Sequence, residues 1–211
     1  MARYIASRTK LSTRVGRNLF LKGARSFSAK DDYSKRPFKR SSSNSKKRPA
    51  SLSEFGKQLV EKQALKFSYG LQEKQLANIF KFAFSRNQDT GFLALSMLER
   101  RLDSVIYRGG MANSRAQARQ LVSHGQFYVN GKPVNIPSFL VTPGDQISIK
   151  TNKVNSNFWK NFQLEVPNEA PAWLDKSTAK QIRILNLPIE SDLPQDFNMP
   201  YIVEFYSRKV S

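Results

Sequence analysis

The feature that most constrains the fold is a change of hydrophobic period within residues 99–150. Before Gly109 and Gly110, apolar residues recur every three or four positions, which is the spacing of one helix face, and the glycines predict its end. From Phe127 onward, apolar and polar residues alternate, which predicts strands. The stretch therefore predicts a small unit in the order helix, helix, hairpin, strand.

The first of these helices is predicted to run without interruption up to the two glycines. Its apolar stripe consists of residues at helical spacing: Leu95, Leu98, Leu102, Val105 and Ile106. The polar positions between them are expected to point away from this stripe: Glu99, Arg100, Asp103 and Ser104. This helix is accordingly expected to place its charges on the surface.

The second helix is expected to begin with Asn113 or Ser114 as its N-cap and to end at Gly125 in a left-handed conformation. Its exposed face carries Arg115 and Arg119 one turn apart. Like charges at this spacing cost about a few tenths of a kcal/mol in an isolated helix. A polyanion lying across the helix would turn the same pair into a binding surface. A solvated polar face is the alternative interpretation.

The hairpin that follows has a strong local signal. Asn130 and Gly131 both tolerate positive φ, as the two central residues of a type I′ turn require. Pro133 predicts that the returning strand lies at an edge of its sheet, because proline has no N–H to donate. A second turn at residues 143–145 precedes a strand over residues 146–150.

The charge of the chain favours a nucleic-acid partner. Its 35 lysines and arginines outnumber 16 acidic residues, which gives a net charge of +19, and fifteen of the basic residues lie before Ala50. An excess of this size predicts a polyanionic partner. Because no stretch approaches the ~20 apolar residues of a membrane span, nucleic acid is favoured over a membrane.

Three parts of the chain resemble known proteins. The run SRAQARQLVSHGQFYVNGKPV, followed by PGD, resembles the S4 domain, an RNA-binding module that also occurs in pseudouridine synthases, tyrosyl-tRNA synthetases and a heat-shock RNA-binding protein. The beginning of the chain (ARY, KLSTRVG, LFLKGAR) and its end (IVEFYSR) resemble the S4 family of small-subunit ribosomal proteins. Because the three matches lie in register, the resemblance covers essentially the whole chain.

The resemblance implies an α+β protein, with a mainly helical domain, an inserted small α/β RNA-binding module and a basic N-terminal extension. We expect the extension and linker at 1–52, the helical domain at 53–92 plus 165–211, and the module at 93–164. The extension is expected to be partly disordered when free. The alternation over residues 200–208 predicts a final strand in the helical domain.

The resemblance also implies a structural role in the cytoplasmic ribosome, without enzymatic activity, small-molecule substrate or membrane. Family members bind the 5′ domain of 16S rRNA, nucleate subunit assembly, contact ribosomal protein S5, lie beside the channel through which mRNA enters, and influence decoding accuracy. An organellar ribosome remains the alternative location. The first thirty residues are basic, rich in serine and free of acids, as transit peptides are.

Recognition of RNA is expected to depend on backbone geometry, with cationic side chains neutralising phosphates. In the module we predict contacts by Arg115, Arg119, Gln120, His124, Asn130 and Lys132. In the helical domain and the extension we predict contacts by Lys57, Lys62, Lys66, Arg3, Arg14, Lys22 and Arg25. A satisfied helix-end residue is the alternative interpretation of His124.

Two other functions compete with this one. An RNA-modifying enzyme is suggested by the RLD at residues 101–103, which resembles the catalytic motif of pseudouridine synthases with Asp103 as the acid. In that family the catalytic domain follows the module, whereas here only about sixty residues follow it and show no paired carboxylates. A stand-alone RNA chaperone would leave the helical domain and the terminal IVEFYSR unexplained.

Many members of the resembled family hold zinc through four N-terminal cysteines. Alignment through LFLKGAR places Thr9, Ser12, Ser26 and Asp31 at those positions. The chain contains no cysteine and one histidine, which excludes disulfides and a Cys/His zinc site. The sequence therefore predicts no metal and no cofactor.

Zinc is expected neither to bind nor to stabilise the protein, because hydroxyls and one carboxylate are poor substitutes for thiolates. Added zinc should leave the midpoint of thermal unfolding unchanged, and dialysed protein should carry no stoichiometric zinc by elemental analysis. A stoichiometric signal would overturn the interpretation of the four aligned positions.

Overall fold

The computed structural model describes residues 7–28, 31, 33, 52–165, 170–178 and 180–210. The chain divides into two compact units. The first is drawn from residues up to 94 and from 195 onward, and the second from residues 95–194. Helices and a small antiparallel sheet are both present, so the predicted α+β class is confirmed.

The first unit is helical in the residues that the structure describes. Its helices are α1 (Thr9–Val15), α2 (Glu54–Ser68), α3 (Glu73–Phe84) and α9 (Met199–Val210), with a short 3-10 turn at Gly23–Phe27. Helix α4 (Thr90–Glu99) begins in this unit. Helix α9 packs mainly against α2 and also contacts α3.

The end of the chain is a helix, so the predicted final strand was wrong. In α9, Ile202, Phe205 and Tyr206 are buried, and the steps of three and four from Ile202 to the other two are helical spacing. The predicted strand followed instead the alternation of Ile202 and Glu204 with Val203 and Phe205. Pro200 stands in the first turn of the helix, where its missing N–H has no intrahelical partner to lose. The Tyr206 ring stacks on Phe80, with ring centroids 4.6 Å apart.

Helix α9 is joined to the other helices through one carboxylate. The Tyr206 hydroxyl donates to Glu73 Oε1 at 3.0 Å. Lys62 and Lys66 donate to the same carboxylate at 2.9 and 3.1 Å, and the Lys62 ammonium lies 4.6 Å from the centroid of the Phe205 ring. Burial raises the pKa of Glu73, but the hydrogen bonds from the two lysines outweigh this effect and hold its pKa below the ordinary value.

The second unit is built on a five-stranded antiparallel sheet in the order β2-β1-β3-β5-β4. The strands are β1 (Phe127–Val129), β2 (Lys132–Val134), β3 (Gln146–Ile149), β4 (Leu174–Thr178) and β5 (Gln181–Ile184). Its helices are α5 (Leu102–Arg108), α6 (Arg115–Ser123), α7 (Thr151–Val154) and α8 (Asn157–Asn161). One core joins α5 and α6 to the buried residues of the strands.

The extent of this sheet differs from the predicted division of the chain. The predicted helical domain includes residues 165–211, but β4 and β5 extend the sheet of the module, and only residues from 195 onward belong to the helical unit. The cause is the alternation of Ile182 and Ile184, which are buried, with Ile182 paired to Ile147 of β3. These strands are short and carry no Asn-Gly turn, so their signal is weak.

The helix predicted to run unbroken to the glycines is two helices, α4 and α5. Between them Arg101 forms an isolated bridge with Leu140, and Leu102 N donates to Phe139 O at 2.8 Å. The backbone groups exposed by the break are thus satisfied by a neighbouring loop. The spacing of the apolar residues survives such a break, which is why the sequence did not reveal it.

The hairpin forms as predicted. Asn130 and Gly131 have φ values of 49° and 74°, and β2, which contains Pro133, lies at the edge of the sheet. The Asn130 side chain also holds the next strand: its amide nitrogen donates to Asp145 Oδ1 at 2.7 Å, and its oxygen accepts from Gln146 N at 2.9 Å. This side chain therefore supports the turn in two ways.

Replacing Glu73 by Gln is expected to reduce the free energy of unfolding by about 1–3 kcal/mol, because buried Lys62 loses its charged partner. Since the pKa of Glu73 is lowered in the folded protein, its stabilisation is present above the ordinary value of 4.5 and is lost as the pH falls below it. Thermal unfolding measured across this range should therefore depend less steeply on pH in the variant. The control Glu204→Gln removes an exposed ion pair with Arg208, and an equal effect there would contradict the assignment.

Replacing Asn130 by Gly is expected to cost about 1–2 kcal/mol, because two hydrogen bonds of the side chain are removed while positive φ remains easy. Asn130→Ala should cost about 1 kcal/mol more, because alanine is strained in the left-handed region. Denaturant unfolding of both variants gives the comparison. An alanine variant as stable as the glycine variant would show that the turn does not require positive φ in solution.

Candidate nucleic-acid interface

Helix α6 carries the arginine pair that the sequence singled out. Of the two predicted caps, Ser114 is the N-cap, since its hydroxyl accepts from Gln117 N at 3.2 Å. Gly125 has a φ of 62°, as predicted for the end of this helix. The apolar side of α6 is buried in the core, and this fixes the side on which Arg115 and Arg119 project.

Both arginines are bound to acidic side chains of the preceding helices, which the sequence did not indicate. Arg115 Nη2 lies 3.0 Å from Glu99 Oε1, and Arg119 Nη1 lies 3.4 Å from Asp103 Oδ2. The arginine side chains are 23% and 16% exposed, and those of the two acids only 1% and 6%. The expectation that Glu99 and Asp103 face solvent was wrong, because the arginines of α6 bind both acids and compensate their burial. Ser104, which was also expected to face solvent, is buried as well.

Two further arginines share the same carboxylates. Arg108 donates from Nε and Nη2 to Glu99 at 3.0 and 3.2 Å, and Arg101 donates from Nε and Nη2 to Asp103 at 3.0 and 2.9 Å. The resulting group, called here the arginine cluster, contains Arg101, Arg108, Arg115 and Arg119 around Glu99 and Asp103.

Sequence reasoning missed Arg101 and Arg108 as members of this group. The signal available was their nearness in sequence to the acids that they bind, since Arg101 lies two positions before Asp103 and Arg108 lies nine positions after Glu99. The guanidinium of Arg115 also lies over the ring of Tyr107, 4.8 Å from its centroid. The side chains of Arg108, Arg115 and Arg119 reach the surface, whereas that of Arg101 is closed to solvent.

The other predicted contacts of the module lie at its surface. Gln120, His124 and Lys132 are exposed, and His124 is the C-cap residue of α6, with its backbone N–H donating to Gln120 O at 2.9 Å. Asn130 is exposed as well, but its side chain is bound within the protein as described above. Its position is therefore explained by the turn alone.

The three predicted lysines of α2 differ in their surroundings. Lys57 is more exposed and donates to Glu54 at 2.6 Å, and this hydrogen bond raises the pKa of Lys57. Lys62 is 4% exposed and is enclosed by Glu73 and the Phe205 ring. Lys66 also binds Glu73, with 16% of its side chain exposed. Lys62 is thus a packing residue of the helical unit, with little surface to offer an RNA.

In the N-terminal segment, Arg14 and Arg25 are exposed and Lys22 is half-buried, while Arg3 lies outside the described residues. This part of the segment has helical structure in α1 and the 3-10 turn.

Polar side chains occupy the positions aligned with zinc ligands. Ser12 and Ser26 are buried, and their hydroxyls accept from Leu19 N at 3.3 Å and from Lys22 N at 3.0 Å. Asp31 is buried and accepts from Tyr33 N at 3.1 Å. Three of the four positions therefore bind backbone N–H groups; the side chain of Thr9 lies outside the described part of the chain.

Within the described part of the chain, no group of three or more His, Cys, Asp or Glu side chains is arranged to hold a metal ion. No helix in the same part of the chain has the length and apolar character needed to cross a membrane.

Comparison with known proteins places the whole chain in one family. Residues 3–99 match the family described as Ribosomal protein S4/S9 N-terminal domain, and residues 100–147 match the S4 domain. Proteins named small ribosomal subunit protein uS4 from Aquifex aeolicus, Hahella chejuensis and Caldicellulosiruptor saccharolyticus are 44%, 42% and 40% identical to it. Each alignment covers 99% of this chain and 100% of the relative. The chain therefore belongs to the uS4 family of small-ribosomal-subunit proteins.

Proposed function

We propose that this protein is a structural constituent of the small ribosomal subunit and a primary binder of 16S rRNA. It docks on the 5′ domain of the rRNA and helps to nucleate subunit assembly in the cytoplasmic ribosome. The observation that carries the proposal is the arginine cluster, which lies on the RNA-binding module of a chain that matches uS4 proteins over its full length.

The mechanism is neutralisation of phosphates by cationic side chains held in a defined geometry. Guanidinium groups bind phosphate oxygens through parallel N–H donors, so they select the orientation of the backbone as well as its charge. Exposed Lys132, Gln120 and His124 extend the contact beyond the cluster. Because the major groove of A-form RNA is too narrow for side chains, the shape of the folded RNA dominates recognition.

The helical unit and the N-terminal segment add a second basic surface. Arg14 and Arg25 are exposed, and Lys57 of α2 binds Glu54 with 43% of its own side chain exposed. As the family resemblance implies, the protein also contacts ribosomal protein S5 and the mRNA where it enters the subunit, and so influences decoding accuracy. An organellar ribosome is the alternative location.

A catalytic role for Asp103 has no support in the geometry. Its carboxylate accepts from Arg101, Arg119 and the backbone N–H of Ser104, and only 6% of its side chain is exposed. A general acid must reach the proton that it transfers. The uS4 family is structural rather than enzymatic.

Replacing Arg115 and Arg119 together by alanine is expected to weaken binding to a 16S rRNA 5′-domain fragment. The dependence of log K on log salt concentration should become shallower by roughly 0.7–0.9 for each phosphate that the variant no longer neutralises. Titrations at several salt concentrations, with tRNA as competitor, measure both quantities.

The matched control is Arg183→Ala with Arg208→Ala, which removes two exposed arginines outside the predicted interface. It should change affinity much less than the first pair. An unchanged salt dependence in the first pair would remove both arginines from the interface. Equal affinity of the wild-type protein for tRNA and the rRNA fragment would favour a stand-alone RNA chaperone.

A further inference from the structure

Two acids lie inside the arginine cluster of the RNA-binding module, where their negative charge reduces its attraction for phosphate. We propose that Glu99 and Asp103 are positioning residues for RNA binding: Glu99 holds the guanidinium groups of Arg108 and Arg115, and Asp103 holds that of Arg119, in the geometry that closely spaced backbone phosphates require. This inference rests on the proposed function and names two acidic residues that contact no RNA themselves.

Glu99 uses both of its oxygens. Oε2 accepts from Arg108 Nε at 3.0 Å, and Oε1 accepts from Arg108 Nη2 at 3.2 Å and from Arg115 Nη2 at 3.0 Å. The two guanidinium groups therefore lie side by side on one carboxylate. Stacking of Arg115 on Tyr107 fixes its plane from another side.

Asp103 has a similar arrangement one helix later. Oδ2 accepts from Arg101 Nη2 at 2.9 Å and from Arg119 Nη1 at 3.4 Å, while Oδ1 accepts from Arg101 Nε and Ser104 N, both at 3.0 Å. The hydrogen bond from the Ser104 backbone N–H restrains the Asp103 carboxylate at the start of α5. The carboxylate is thereby kept in position to bind Arg119.

The acids and the arginines of the cluster differ in how much of each side chain is exposed to solvent. The side chains of Glu99 and Asp103 are closed to solvent, whereas those of Arg108, Arg115 and Arg119 keep 20%, 23% and 16% of their surface. A guanidinium has five N–H donors on several edges, so one edge can meet a carboxylate while another meets a phosphate. Arg101 is closed as well and completes the neutralisation of Asp103.

Crowded guanidinium groups favour a particular kind of RNA surface. They repel one another unless anions lie between them, and the buried carboxylates supply those anions on the protein side. On the open side, the best complement is a place where two phosphates are close together, as where a backbone turns sharply or two strands approach. Arginines ordered before binding also lose less side-chain entropy when the RNA docks.

The test exploits the sign of the charge change. Glu99→Gln preserves shape and makes the protein more positive, so an interface governed by net charge alone would bind the 5′-domain fragment more tightly. Positioning predicts weaker binding, by about three- to tenfold, because two arginines lose their anchor. The dependence of log K on log salt concentration should also become shallower. A lower folding stability of the variant would not by itself produce this change. The control is Glu204→Gln, which removes an exposed acid from α9 and should leave affinity unchanged or slightly tighter.

Arg115→Lys provides a second test that leaves the Glu99 carboxylate in place and keeps a positive charge beside it. Charge is retained, but the ammonium group cannot bind a carboxylate and a phosphate through a rigid fork. Binding should weaken about threefold or more. Circular dichroism and thermal unfolding establish whether each variant is folded at the titration temperature. If Glu99→Gln is unfolded there, the binding of Arg115→Lys tests the positioning role.

Unchanged or tighter binding by folded Glu99→Gln, or unchanged binding by Arg115→Lys, would overturn the positioning role. These outcomes are distinct from failure of the proposed interface itself. In that case the double alanine variant of Arg115 and Arg119 would also bind normally.

Discussion

The RNA-binding module depends on two carboxylates that are shielded from water by arginines. Moving a carboxylate from water to the protein interior costs roughly several kcal/mol of hydration free energy. A buried carboxylate therefore needs charged partners that compensate this cost. Glu99 and Asp103 each have two such partners, drawn from α5, from α6 and from the junction before α5. The same contacts that compensate the burial of the acids tie these helices together and set the positions of the arginines.

The helical unit uses a related arrangement with the roles of the charges partly exchanged. There a buried ammonium, that of Lys62, is compensated by Glu73 and by the face of an aromatic ring. Because the Tyr206 hydroxyl also donates to Glu73, burial and this nearby anion both raise the pKa of the phenol above its ordinary value. Charge burial in both units thus fixes packing between elements distant in sequence.

The N-terminal segment is held by weaker interactions. The Ser12 and Ser26 hydroxyls each accept one hydrogen bond from a backbone N–H group, whereas a zinc ion would bind four side chains at one point.

The features of the fold and of the interface that could be predicted are those set by residues close together in the sequence. The Asn130-Gly131 turn, the Ser114 cap and the edge position of Pro133 follow from the conformational limits of single residues, and the structure contains all three. The helix break at Arg101 and the burial of Lys62 depend on contacts with distant residues, which no window of the sequence contains. The prediction for the end of the chain failed for another reason, because it followed the alternation over residues 202–205 and overlooked the steps of three and four from Ile202 to Phe205 and Tyr206.

The order of the two units along the chain bears on how the protein folds as it is synthesised. Residues 95–194 form one continuous unit, whereas the helical unit is drawn from both ends of the chain. Glu61 illustrates the difference, since it binds Arg17 and also accepts from Asn198 N, 137 positions later. Domains generally fold as units during synthesis. The module can therefore fold while the last residues are still being added, and the helical unit reaches its final packing only after the C-terminal helix has left the ribosome that makes it.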